Sequence, residues 1–501
     1  MNNEVRFRNH ISIIIEELGA TFWFIFILIF SNLINNLENI KENMNDMMSV
    51  SKKYELAIPV ILIILCIIII WRVNRWRKTY IYVDDGVLVV ERNTLYAKKD
   101  TIAIKNISNV NTEQNLFEVL MRTCKVKLDT NTLSTANSTD VKIVLKANKA
   151  EEFKENLLKI INNSTEINEK ANENATDDYM VASTNEIIKH GLYSANLYSI
   201  ILFIGCIIGL IMYIINMATT KNGNGSILTI VSNILLMCTT GLVFLWNNVK
   251  DFIKFWNYRI KRNNDKINIK YGLLKKVDYT IPVSTINAIK LKQTLIARIF
   301  KKYRVEIVNV GLGDDDDESN SFFLLYGSKK EIYEKIHALL PEFDGCLGNN
   351  IQKCPKCSWI IWSIPISIFL LVVGFGTILS MEIVGKFYKQ IIILASCVCI
   401  IGFIVLLSYY FTAGISVNDK YLVLSKGHFG KEISFIQYGK IQHITVKQNF
   451  IARHFNMSKG EVYILANLTN QIQDFPYCIE TNINNMREKI LLHDTRTKLP
   501  K

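Results

Sequence analysis

The chain has 501 residues, half of them apolar, with 58 Lys and Arg against 45 Asp and Glu. An apolar half gathered into long runs excludes both a disordered chain and an ordinary soluble domain. A formal charge of +13 would suit nucleic acid, but the basic residues flank the apolar runs, so anionic lipid headgroups are the expected partner and no nucleic acid is expected.

Six runs qualify as membrane spans: residues 18–34, 56–73, 197–217, 227–249, 359–381 and 390–411. Each approaches the ~20 residues that cross ~30 Å of hydrocarbon. The stretch 58–71 has no polar face, unlike a surface helix of a soluble protein. The first run is the shortest and has Glu16 and Glu17 at its mouth. It is too long for a signal peptide and lacks a cleavage site, so it is expected to remain as a span. Gly205, Gly209, Gly374 and Gly376 would allow close helix contact inside the runs.

The runs pair into three hairpins whose short loops hold six basic and five acidic residues. Nearly all of the excess positive charge therefore lies on the other side, for example at Arg72, Arg75, Arg77 and Lys78, and at Lys250, Lys254, Arg259, Lys261 and Arg262. The positive-inside rule then predicts a multi-pass cell-membrane protein with cytoplasmic termini and three cytoplasmic segments. Five of the ten cysteines lie in the runs and the others on the reducing side, so no disulfide framework is expected.

Each hairpin is followed by the same pattern. In the first copy Ile107, Val110, Gln114, Leu116, Phe117 and Met121 stand at fixed spacing. Ile286, Ile289, Gln293, Leu295, Ile296 and Phe300 repeat it, as do Ile441, Ile444, Gln448, Phe450, Ile451 and Phe455. Such an internal repeat fixes the architecture before any motif does. Upstream, Asn93, Gly272 and Gly427 read as hairpin turns that admit positive φ. Before them, short alternating strands open at 84–86, 263–265 and 418–420. Downstream, 126–128, 305–307 and 462–464 alternate as strands. Each copy closes with a strand (142–145, 322–325, 477–479) and a helix (149–161, 329–340, about 484–493).

The stretches IPVSTINAIKLKQTLIARIF and IQYGKIQHITVKQNFIARHF resemble the signature of bacterial pleckstrin-homology-like (PH-like) domains of the second type. A hairpin of spans followed by this domain, three times over, resembles the YdbT-like membrane proteins of Gram-positive bacteria. The resemblance covers nearly the whole chain. It implies six transmembrane helices in three hairpins, each followed by a PH-like α+β domain: a bent antiparallel sheet of about seven strands with a C-terminal helix. The expected division is hairpin 1–78, domain 79–165, polar linker 166–190, hairpin 191–256, domain 257–343, linker 344–357, hairpin 358–411 and domain 412–501. The family's suggested setting is the cell envelope and defence against membrane-active peptides.

Gln114, Gln293 and Gln448 end a strand, where a side-chain amide can bond exposed backbone groups and fix a turn. A pocket shared by the three is the alternative. Arg298 and Arg453, replaced by Val119 in the first copy, could hold phosphate or make a local ion pair. Lys98, Lys99, Lys275, Lys276 and Lys431 lie past the first turn, where the PH-like resemblance places a phosphoinositide headgroup; a solvated turn is the plainer alternative. The run Asp314–Glu318 lacks the spacing of a calcium loop, and Cys354 with Cys357 supplies half of a zinc site. No metal or cofactor is therefore expected.

The sequence shows no nucleophile elbow, phosphate loop or metalloprotease motif. The expectation is a non-enzymatic membrane scaffold whose three domains bind anionic headgroups or a membrane or cytoplasmic protein, a second copy of the chain being one candidate. A transporter or exporter component is the alternative, with Asn233, Ser363 and Ser396 as the only polar hints in the spans.

Overall fold

A computed structural model describes residues 6–16, 18–19, 57–94, 96–130, 141–163, 179–195, parts of 201–215, 227–309, 322–346, 351–379, 388–466 and 468–498. It divides into two compact units. The first comprises Met1–Asn131, Asp140–Ala175 and Leu274–Tyr279; the second comprises Thr132–Thr139, Thr176–Leu273 and Thr280–Lys501.

In the first unit, helix α1 (Ala57–Arg77) runs into β1 (Thr79–Asp84), β2 (Val87–Asn93) and β3 (Ala97–Ala103), an antiparallel sheet. Asp85 and Gly86 both take positive φ, the geometry of a two-residue turn whose twist matches its strands. A single 3₁₀ turn leads into a second sheet of β4 (Ile107–Gln114), β5 (Thr123–Thr130) and β6 (Val141–Lys146). Between β4 and β5 stands the short helix α2 (Leu116–Leu120), and α3 (Ala147–Asn163) closes the copy. Ile81, Leu88 and Val90 of the first sheet pack on Val110, Val126, Ile143 and Leu157, one core between two sheets and a helix. Alternating apolar residues on each strand make that inner face.

The second unit repeats the scheme. Strand β7 (Met180–Val181) and helix α4 (Thr184–Ser194) precede α5 (Ile227–Lys254) and the β8 (Arg259–Asn263) to β9 (Lys266–Tyr271) hairpin. Then come β10 (Lys276–Pro282), whose residues 276–279 count with the first unit, β11 (Ile286–Gln293), α6 (Leu295–Ile299), β12 (Lys302–Asn309), β13 (Phe322–Ser328) and α7 (Lys329–Leu339). The third copy has β14 (Gln352–Lys353), α8 (Ser358–Leu379), α9 (Tyr388–Thr412), β15 (Gly414–Val417), β16 (Tyr421–Lys426) and β17 (Lys431–Gln437). It ends with β18 (Ile441–Lys447), α10 (Phe450–His454), β19 (Met457–Ile464), β20 (Ile472–Ile479) and α11 (Glu480–Lys498).

The expected seventh strand comes from an unexpected place. It lies before the apolar hairpin, not after it: Phe7 bridges Ile81, Met180 pairs with Ile260, and Gln352 with Ile415. In the third copy the two apolar helices α8 and α9 are thus inserted between two strands that touch. Gly414 permits this in the third copy, since a Cβ there would overlap the Gln352 carbonyl oxygen. Residues 184–190 of the expected polar linker are helical, started by a capping box of Ser183 and Glu186.

Two described helical segments, Ser358–Gly376 and Ala395–Thr412, are long and apolar enough to cross a membrane, and their side chains face almost entirely outward. They fall on the last two of the six expected spans; most of the first, 20–34, lies outside the described residues. Gly402 lets α9 approach Ile366 of α8, where a Cβ would come within 3.2 Å of Cδ1. At Gly374 and Gly376 a Cβ would meet open space among the described residues. Of the three expected turn residues, Gly272 (φ 114°) and Gly427 (φ 141°) are left-handed, whereas Asn93 ends β2 in extended conformation.

Candidate functional site

The repeated motif folds identically in all three copies. The side-chain amide of the motif glutamine donates to a carbonyl nine residues on: Gln114 to Thr123 at 2.6 Å, Gln293 to Lys302 at 2.9 Å, Gln448 to Met457 at 3.1 Å. The next residue caps the short helix, with Asn115, Thr294 and Asn449 accepting from the backbone N–H of Glu118, Ala297 and Ala452. Each cap is worth about 1 kcal/mol. The helix ends one turn later on a left-handed residue, Arg122 (φ 54°), Lys301 (φ 52°) or Asn456 (φ 49°). Each glutamine thus fixes a turn within its own copy.

That turn has a purpose in each copy: it holds the short helix against the segment that leads into an apolar helix. In the first, Asn115 donates to Glu16 at 3.4 Å, and Lys125 pairs with Glu16 at 2.8 Å. In the second, the Thr294 hydroxyl donates to the Tyr193 carbonyl at 2.5 Å, and Phe300 lies 5.7 Å from the Tyr193 ring. In the third, Ile451 and Ala452 pack on Ile361 and Trp362 at the start of α8. On the outer side of the same turns stand exposed apolar groups: Leu120, Ile299, Phe300 and Phe455. Exposed basic residues alternate with them at Arg122, Lys301, Arg453 and His454.

The neck of the second copy contains a buried histidine. His190 of α4 accepts from the Tyr326 N–H at Nδ1 (3.2 Å) and is boxed in by Phe255, Phe322 and Tyr326. Burial, then the nearby Arg304 and Lys254, hold its pKa well below 6.5. The first copy has Glu118 where the others have a buried alanine. Burial raises its pKa, against the Asn115 N–H and Lys125, which oppose the rise.

The remaining sequence candidates are scattered. Lys275 pairs with Glu113, Lys276 lies opposite Gln114 in a strand ladder, and Lys431 lies opposite Gln293 in another. Lys98 pairs with Asp100 at 2.9 Å and Lys99 is exposed. Arg298 donates to the Phe429 carbonyl at 3.3 Å, whereas Arg453 is exposed, with no side-chain hydrogen bond among the described residues. Val119 is exposed. Cys354 is buried and its thiol is pushed up to about 12, chiefly by burial, so it stays protonated at neutral pH. The Ser363 hydroxyl donates to the Ile360 carbonyl of its own helix. Asp314–Glu318 lies outside the described residues.

Glu16, His190 and Tyr193 escaped the sequence reading, because their partners lie 99 to 136 residues away; Glu118, whose partners are Asn115 and Lys125, was not singled out either. The cap residues were legible: Asn or Thr between the motif glutamine and the first helical residue is an N-cap signal.

A sheet-rich unit of two small sheets and a closing helix, repeated three times, defines a class of membrane protein built on PH-like domains. Residues 27–161, 199–331 and 367–466 match the family described as "Bacterial PH domain", and the chain belongs to it. It is 22% identical over 337 residues to the "UPF0699 transmembrane protein YdbT" of Bacillus subtilis (strain 168), covering 62% of this chain and 67% of that relative. No solved structure matches.

Proposed function

We propose that the protein is a non-enzymatic, multi-pass membrane scaffold with cytoplasmic termini, whose three PH-like domains are held against the anionic inner surface by their motif helices. One observation carries this reading: in every copy the motif helix is fastened to the segment entering an apolar helix and turns apolar and basic side chains outward. Amphipathic surfaces of this kind seat at the headgroup level, apolar groups inward and Lys or Arg among the phosphates. Each such basic residue contributes about 1 kcal/mol near an anionic surface. The motif glutamine and cap are spent on holding the turn, which favours anchoring over catalysis. The six apolar runs would cross as three hairpins, since each hairpin leaves from and returns to paired strands of one domain.

The test is photo-crosslinking of the full-length protein in vesicles containing phosphatidylglycerol and a phospholipid with a carbene precursor near its headgroup. Labelled peptides should include 116–122, 295–301 and 450–455. Labelling confined to the apolar runs would refute the anchoring. The physiological setting proposed with it is envelope maintenance, for which loss of the gene should sensitise cells to membrane-active peptides.

A further inference from the structure

Successive copies are joined by strand addition. In the second unit β11 pairs with β17 from Gln293↔Lys431 through Ala288↔Ile436. In the first unit residues 276–278 pair with β4, with Gln114 facing Lys276. Both junctions follow one rule: the motif glutamine of one copy faces the first residue of the third sheet strand of the next.

Among the described residues two such edges are left over. They are β18, which ends the last sheet, and β3, which ends the first. Neither outer edge pairs with another strand among the described residues. Their exposure agrees: β11 is buried at all but one position, whereas β18 is exposed or half-buried throughout and β3 is mostly exposed. Unpaired edges of this length are templates for another strand.

The ends of these two edges carry the matching parts of a junction. Arg298 reaches across the β11–β17 junction to the β16–β17 turn. Its counterpart Arg453, beside β18, is exposed with nothing to reach. Phe450 (87%) and Tyr96 (81%) are the most exposed large hydrophobic residues described. The junction register would bring these two together.

We propose that β18 of one copy of this chain pairs antiparallel with β3 of a second copy, Gln448 facing Ala97, as a head-to-tail contact. Such a contact uses two different patches, so it builds a row or closes into a ring. It does not depend on the motif helices touching lipid.

The test uses full-length chains carrying different tags, one with Gln448→Cys and one with Ala97→Cys, coexpressed and oxidised in membranes. Facing antiparallel residues stand about 4.5–5.5 Å apart at Cα, within disulfide reach. A mixed-tag adduct of twice the monomer mass is expected, absent from either variant alone and from the out-of-register pair Gln448→Cys with Thr101→Cys. Phe450→Ser with Tyr96→Ser should abolish the adduct without changing the melting temperature, since both side chains are exposed. No mixed-tag adduct, or equal adduct from the out-of-register pair, would overturn the proposal. So would a crosslink formed only within one chain when both cysteines are placed together.

Discussion

The side-chain amide of Gln293 donates to the main-chain carbonyl of Lys302 at 2.9 Å, closing the turn that carries α6. Gln293 is buried, so its removal leaves the Lys302 carbonyl without that donor. Gln293→Ala should destabilise the protein by about 1–3 kcal/mol, the cost of an unsatisfied buried group. Gln293→Glu should cost at least as much, because a carboxylate would face a carbonyl oxygen. Thermal unfolding in detergent measures both; an unchanged midpoint for either contradicts the role assigned to the motif glutamine.

Lys290 and Glu432 meet across the β11–β17 junction at 3.4 Å, with Lys290 nearly fully buried. Burial alone would raise Glu432, but Lys290, Lys292 and Lys426 hold it below the usual glutamate range. Burial lowers Lys290, and Glu432 opposes that fall. Glu432→Ala removes the carboxylate facing the buried ammonium but leaves its bond to Asn470 at 2.8 Å, and should cost about 1–3 kcal/mol. Pairing it with Lys290→Met should recover most of that loss. A double variant no better than the single would mean that the pair is not what the junction needs.

His190 gives a pH dependence of definite sign. Its folded pKa lies well below 6.5, so the neutral ring is the native form. The stability it supports is present above about pH 6.5 and is lost as the unfolded chain takes up a proton on acidification. Melting temperature should therefore fall below that pH in the wild type, and His190→Gln should flatten the fall. A parallel decline in both would assign the acid sensitivity elsewhere.

Glu118 acts in the opposite sense. Its folded pKa is raised above 4.5, so it favours the native state in acid, and that contribution disappears as pH rises through the folded value. Glu118→Gln keeps an acceptor for the Asn115 N–H, bonded at 2.8 Å in the wild type, without the buried charge. It should leave neutral-pH stability equal or higher and remove the slope just above pH 4.5. Hydrogen exchange at Asn115 and Glu118 reports whether the cap survives; a marked neutral-pH loss of stability with the cap intact contradicts a cost of burial.

Much of this molecule was fixed by local sequence. The alternation at 126–128 and 305–307, the turn glycines at 272 and 427, and the amphipathic closing helices all follow from contacts within a few residues. So does the motif turn, whose glutamine, cap and helix span nine residues. The three copies could be aligned without a structure for the same reason. Tertiary structure alone decided which edges meet. Phe7 finds Ile81 across an inserted hairpin, and β11 chooses β17 over any strand nearer in sequence. Strand pairing of that kind depends on which apolar faces are buried together and on charges such as Lys290 and Glu432 facing each other, and neither leaves a mark in local periodicity. The same logic separates β11 from β18. They share one motif, and the pairing with β17 makes β11 a buried strand, whereas β18 pairs on one side only among the described residues.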